Sequence, residues 1–358
     1  MYKINYEDIA IPIAWPDQTA RGDEQWYSLL KSLGIIKNLN FKVGHAAIVL
    51  AKKDTGELRY FDFGRYIAPR GYGRARSSKF DPRLILQTRA IIEGDEILNF
   101  EEILHELSEK EEATHGGGRL YCSQTYQVNF DKSVRFAEEI VNKGPILYGA
   151  LANKNNSCSR YVAQIMVAGL SEDDSRKRNI LYPESLKPSP TSNVVNGVEH
   201  RYVYCYAKGV LTKIKMNRFA SLKFQMAQLK DNFYSDLAKL LPDDSKPGKI
   251  SELPRHEHLP MNVQWLGGIG EGVWMEIKQV DSVYEIYRYN SNGNIDYGVL
   301  ATPVGTFDLS REFQFTYHIH HDKHVLIQDG QEIEFLTKHS IQDAEIIGLE
   351  NKERSKII

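Results

Sequence analysis

Apolar and polar residues alternate in short runs over the first sixty residues and again beyond residue 260, while helical spacing dominates much of the stretch between. The runs VGHAAIVLA and LRYFDFG flank KKDTGE, which predicts a hairpin. LILQTRAII and GRLYCSQTYQVNF predict further strands, and VEHRYVYCYA a returning strand that closes a first domain near residue 209. Helical spacing in QWYSLLKSLGI, FEEILHELSEK, DKSVRFAEEIVNKG and SCSRYVAQIMVAGL predicts four helices. The N-terminus reads as an extended arm, residues 64–83 as a basic loop, and residues 171–197 as a long excursion or lid. A helical connector is expected over residues 216–241, followed by the linker PDDSKPGK. GVWMEIKQV, SVYEIYRYN, SNGNIDYGVLA, EFQFTYHIHH, KHVLIQDG and QEIEFLTKH then predict an antiparallel β-domain, an open sandwich or small barrel. The division expected is a first domain over 1–209, connector and linker over 210–250, and a β-rich domain over 251–358. The fold class is α+β, with a mixed or antiparallel sheet packed on helices in the first domain.

A length of 358 residues favours two cores over one. The composition is that of a globular protein, and a net charge of −2 gives no general attraction to nucleic acid or anionic membrane. No secretory signal pattern opens the chain, and no apolar run is long enough to span a bilayer. Three widely spaced cysteines form neither a disulfide framework nor a zinc pattern, which fits a reducing, cytoplasmic setting and directs attention to a single special thiol.

That thiol is Cys158. In NNSCSRYVAQIMVAG, Asn156 or Ser157 can cap a helix and Gly169 can end it in a left-handed conformation. Cys158 then occupies the first turn, where the helix dipole and unpaired backbone N–H groups favour thiolate and can hold an oxyanion. His45, near the start of an apolar strand after Gly44, is a candidate general base. Asp62 on the neighbouring strand is a candidate orienter: if the turn sets Ala47 opposite Asp62, His45 and Asp62 share a face as diagonal neighbours, and a one-residue slip would separate them.

G-H-x-x-I, a polar residue on the next strand, and N-x-C-x-R-Y-V opening a helix resemble the permuted papain-like cysteine hydrolases, the NlpC-type peptidases and the lecithin retinol acyltransferase-like enzymes. The resemblance covers roughly residues 40–170. It implies a permuted papain-like domain, His45 as base, Cys158 as nucleophile and Asp62 as a third member, acting on a peptide-like or acyl substrate. The whole chain also resembles a bacterial family of similar length with no assigned reaction.

Arg65 and Arg74 in the basic loop are candidates to grip a substrate carboxylate or phosphate, set against a solvated loop whose arginines pair with local acids such as Asp81. His115 in THGGGR competes with Asp62 for the third position, and Asn156 is a further substrate-binding candidate. No G-x-S-x-G elbow accompanies THGGGR, which excludes a serine hydrolase of that type. HIHHDKH could bind zinc or nickel, but no carboxylate or cysteine completes a set, so neither metal nor cofactor is expected. The leading expectation is amide or ester hydrolysis through a Cys158 acyl-enzyme, with acyl transfer or thioester hydrolysis next. The rival is a non-catalytic binding protein whose β-domain meets a protein partner.

Overall fold

The structure is a computed structural model that describes residues 5–21, 26–37, 39–149, 155–230 and 253–341. The linker expected over residues 242–249, and the end of the helix expected before it, lie outside the described residues. Contacts divide the chain into two units, one of residues 1–64, 70–78 and 83–249, the other of residues 65–69, 79–82 and 250–358.

The first unit is built on an antiparallel sheet in the order Ile146–Leu147, Tyr72–Arg76, Leu58–Gly64, His45–Ala51, Asp8–Trp15, Leu120–Cys122, Tyr202–Ala207, Val210–Lys215. The expected N-terminal arm is instead a central strand of this sheet, Asp8–Trp15, paired from Ile9 to Trp15 with His45–Ala51. Its proline is tolerated because of where it falls. On the strand's other side Thr125–Val128 pairs as far as Ala10 and Leu120–Cys122 from Ile13 onward, so Pro12 sits at the break between two partners.

Side chains alternate across the sheet. Ile9, Ile11, Ile13, Ala47 and Val49 pack with Phe100, Ile103, Leu104 and Leu107 from the helix Phe100–Glu109. Ala10, Ala46, Ile48 and Leu50 pack on the other face with the helices Phe130–Val141 and Cys158–Gly169. From the second of these helices Tyr161, Val162, Ile165 and Met166 are fully buried, each contributing about 1.5–3 kcal/mol. Packing of that size, more than helix propensity, anchors the helix that carries Cys158.

Three expectations are corrected here. Residues 64–83 are not simply a loop: Tyr72–Arg76 is a strand with fully buried Arg74 and Arg76. Residues 84–92 begin at the end of a short 3-10 turn and run without strand pairing until Ile92, which pairs with Ile97. Their backbone is held instead by side chains, with the N–H groups of Gln87 and Thr88 donating to the Glu106 carboxylate at 2.7 and 2.9 Å, while Leu84, Leu86 and Ala90 enter the core. Residues 171–197 contain the helices Arg176–Leu181 and Pro190–Asn196, the latter buried throughout. A capping box between Ser189 and Ser192 starts that helix, and Asn193 Nδ2 donates to the Ser159 carbonyl at 2.8 Å, tying it to the cysteine helix.

The second unit is a seven-stranded antiparallel sheet running Gln264–Leu266, Val273–Val280, Val283–Tyr289, Ile295–Pro303, Gln331–Ser340, Lys323–Gln328, Gln314–His320. One side chain joins its two edges: Gln264 donates to the Phe313 carbonyl at 3.0 Å and accepts the Phe315 N–H at 2.9 Å. The sheet is thereby nearly closed. Asp81 receives Arg288 Nη2 at 2.6 Å, with Arg288 Nε on Asp296 at 3.0 Å. His324 is fully buried and shares a 3.0 Å hydrogen bond with the Tyr297 hydroxyl. Among the described residues no group of three His, Cys, Asp or Glu side chains is placed to hold a metal ion.

Gly169 does not adopt the left-handed conformation expected of it; the helix closes with Leu170 in extended geometry. The glycine serves helix contact instead, since a Cβ there would lie 2.1 Å from Ser133 Oγ and 2.6 Å from Val128 Cγ1. Gly169→Ala should therefore lose about 1–3 kcal/mol by overpacking, although alanine is the better helix former. Urea denaturation checks this, and a stabilised variant would contradict the close approach.

Candidate active site

Ser157 is the N-cap of the cysteine helix, extended in backbone, with its hydroxyl accepting the Arg160 N–H at 3.4 Å. Asn156 fixes the approach to this cap. Its Oδ1 accepts the Ser157 N–H at 3.0 Å, its Nδ2 donates to Gln164 Oε1 at 3.1 Å, and its backbone bonds to Leu147 and Gly149. Asn156 is thus used internally, shaping the turn that delivers Cys158 to the first helical position. As a residue Cys158 is partly exposed, whereas Cys122 and Cys205 are buried.

The hairpin adopts the register with Ala47 opposite Asp62, and the paired ladder begins there, leaving His45 and Ala46 beyond it at the strand's open end. His45 Nε2 donates to Asp62 Oδ2 at 3.3 Å. The same imidazole hydrogen-bonds with the Cys158 thiol, which also accepts the Ala46 backbone N–H. With Nε2 turned to Asp62, Nδ1 is the ring nitrogen left for sulfur. Cysteine, histidine and aspartate, separated by up to 113 positions along the chain, thus form one hydrogen-bonded series.

Asp62 has no exposed surface, and its charge is met on every side. Arg76, directly opposite in the next strand, donates Nε to Oδ1 at 2.9 Å and Nη2 to Oδ2 at 2.5 Å. The Tyr60 hydroxyl donates to Oδ2 at 3.0 Å. Burial alone would push the carboxyl up, but the Arg76 charge, with the His45 and Arg76 hydrogen bonds, brings it down to about 2. For His45, burial disfavours charge, yet hydrogen bonds to Asp62 and Cys158 and their charges outweigh it and lift the imidazole to about 9. Burial likewise opposes a Cys158 thiolate, and the His45 hydrogen bond and charge, helped by Ser159 and the Ala46 N–H, bring that thiol below its ordinary value. Cys122 and Cys205 are pushed up by burial. At neutral pH the arrangement favours a thiolate–imidazolium pair at Cys158 and His45 alone.

The other sequence candidates lie elsewhere. Arg74 is fully buried opposite Gly64, and Arg65, 8% exposed, belongs to the second unit. Neither is a solvated arginine. His115 sits in left-handed conformation at the end of the short helix Glu111–Thr114, and Asp62 is the carboxylate on His45 Nε2. Arg76, Tyr60 and Trp15 were not singled out from the sequence. The alternation Tyr60–Asp62 and the pattern Gly73-Arg74-Ala75-Arg76 were available as signals, since period-two spacing places arginines on one face of a strand.

Residues 10–175 match the model of the Type VI secretion system effector TseH-like family. That stretch holds His45, Asp62 and Cys158. Residues 263–338 match the DUF6695 C-terminal domain. Among solved structures, the crystal structure of the Type VI secretion system effector TseH is similar at 17% identity, covering 58% of this chain and 98% of that one with a TM-score of 0.40. No curated protein matches. No helix among the described residues is long and apolar enough to cross a membrane.

Asp62→Asn removes the anion but leaves the Arg76 cation buried, which should cost about 3–5 kcal/mol at pH 7. Because the folded carboxyl titrates near 2, below its ordinary 3.8, its stabilisation is complete above about pH 4 and is lost as pH falls toward 2. Urea midpoints measured from pH 7 to pH 2 should show a flatter acid limb in the variant. A loss below about 1 kcal/mol at pH 7 would mean the pair contributes little.

Proposed function

We propose that this protein is a cysteine hydrolase of the effector type, cleaving a peptide-like amide or an ester through an acyl-enzyme on Cys158. The observation that carries the reading is the hydrogen-bonded series Cys158–His45–Asp62, with Cys158 partly exposed as a residue and the carboxylate fully buried. The order His, Asp, Cys along the chain agrees with a permuted papain-like arrangement. The match of residues 10–175 to a family of secretion-system effectors supports action on a target outside the producing cell, in place of the cytoplasmic setting expected from the cysteine count.

In this reading the Cys158 thiolate attacks the carbonyl carbon, and the electron pair of the carbonyl bond moves to oxygen. Backbone N–H groups of Cys158 and Ser159, at the first helical positions, have no acceptor within the helix and can hold the oxyanion. Imidazolium Nδ1–H of His45 protonates the leaving amine or alkoxide as the carbon–heteroatom bond breaks, leaving a thioester. His45, now neutral, takes a proton from water; hydroxide displaces the thiolate and the acid is released. Asp62 keeps Nε2–H engaged throughout, so Nδ1 is the nitrogen that exchanges protons. Neither the acceptor nor the substrate's flanking groups enter this scheme.

The test is acylation by a p-nitrophenyl ester. A burst of p-nitrophenolate stoichiometric with protein, and an acyl group mapped to the Cys158 peptide, are expected. Cys158→Ala should abolish the adduct, and His45→Ala should slow acylation by about 10²–10⁴-fold. Acylation absent from Cys158, or unaffected by the His45 change, would favour a non-catalytic binding protein instead.

A further inference from the structure

The motif THGGGR has no part in the hydrolysis scheme, yet its first glycine lies against a side chain that touches the site. Trp15 ends the strand Asp8–Trp15 directly across from His45, and the two rings stack with centroids 5.7 Å apart and planes 10° from parallel. The indole is 1% exposed. The backbone of residue 116 runs against it: a Cβ on Gly116 would lie 2.5 Å from Trp15 Cε2 and 2.8 Å from Cζ2 and Nε1. Only glycine lets the loop approach this closely.

The loop is also fastened at Gly116 and at Arg119 to the residues just after Trp15. Gln18 Nε2 donates to the Gly116 carbonyl at 2.8 Å. Arg119 grips Asp17 with Nε at 2.8 Å and Nη2 at 2.6 Å, while its backbone N–H reaches the same carboxylate at 3.2 Å. Loop, indole and imidazole are therefore in successive contact, ending on the ring whose two nitrogens face Asp62 and Cys158.

We propose that Trp15, seated by Gly116, is a positioning residue for His45, and this rests on the hydrolase reading above. The flat contact fixes the plane of the imidazole so that Nε2 remains on Asp62 while Nδ1 addresses the sulfur. The π-face also favours the charged imidazolium over the neutral ring, and hence the Cys158 thiolate. On this account THGGGR carries the seat for the indole, and the glycine at position 116 follows from the closeness of that seat.

The test is the pH profile of Cys158 carboxamidomethylation by iodoacetamide in the full chain, with the labelled cysteine mapped by mass spectrometry. Trp15→Leu, which keeps an apolar filler without a ring face, should slow labelling at pH 6.5 by about tenfold and move the apparent pKa upward. Trp15→Phe should restore most of the loss, and Gly116→Ala should act like Trp15→Leu by displacing the indole. Cys122 and Cys205 report folding in the same sample, because buried thiols label only if the chain opens. Unchanged profiles in Trp15→Leu and Gly116→Ala, beside a wild-type thiolate that persists well below the pKa of a free thiol, would overturn the role of Trp15 and leave the hydrolase reading standing. A wild-type Cys158 that labels like a free thiol would overturn both.

Discussion

A carboxylate with no exposed surface governs the arrangement of the first unit. Asp62 is kept ionised in the interior because Arg76, Tyr60 and His45 together supply hydrogen bonds to both of its oxygens. Each partner comes from a fixed position in the sheet: Tyr60 two residues earlier on the same strand, Arg76 opposite on one neighbour, His45 diagonal on the other. A shift of register in either pairing would leave a charge buried without its counterpart, at a cost of several kcal/mol. Electrostatics and strand pairing are thus one constraint. The orientation and raised proton affinity of His45 follow from it, and the lowered pKa of Cys158 follows from His45.

Sulfur enters from a different layer. The cysteine helix packs on the face of Ala46, Ile48 and Leu50, whereas Ala47 and Val49 face the other core. The thiol meets the imidazole where His45 lies beyond the ladder with Leu58–Gly64, at the end of its strand, and the Ala46 N–H can also reach the sulfur there. Ser157 and Asn156 set where the helix begins, and the buried Tyr161, Val162, Ile165 and Met166 hold it there. The buried helix Pro190–Asn196 bonds to it through Asn193.

What could be read beforehand was local. Ser157 as cap, Cys158 in the first turn and the apolar spacing after it lie within a dozen residues, and KKDTGE supports the hairpin whose register joins His45 to Asp62. What could not be read depends on partners distant in sequence. Arg74 and Arg76 look solvated because their charge argues for exposure, and only the strand opposite Asp62 makes burial affordable for Arg76. Trp15 follows a proline-containing stretch that resembles an arm, and becomes central only when three separate strands pair around Pro12. The alternation in residues 84–92 is real, but Leu84, Leu86 and Ala90 meet the core without a paired strand because Glu106 satisfies the backbone. In the β-rich unit the reverse holds: hairpin-connected strands are local, and six predicted runs each appear as a strand.

The central claim, a thiolate–imidazolium pair sustained by buried Asp62, is tested most directly by following the His45 ring nitrogens by ¹H–¹⁵N NMR across pH. The imidazole should stay protonated at pH 8 and titrate at about 9, with Nε2 the nitrogen bonded to carboxylate. A ring that loses its proton near the ordinary histidine value of about 6.5 would contradict the account.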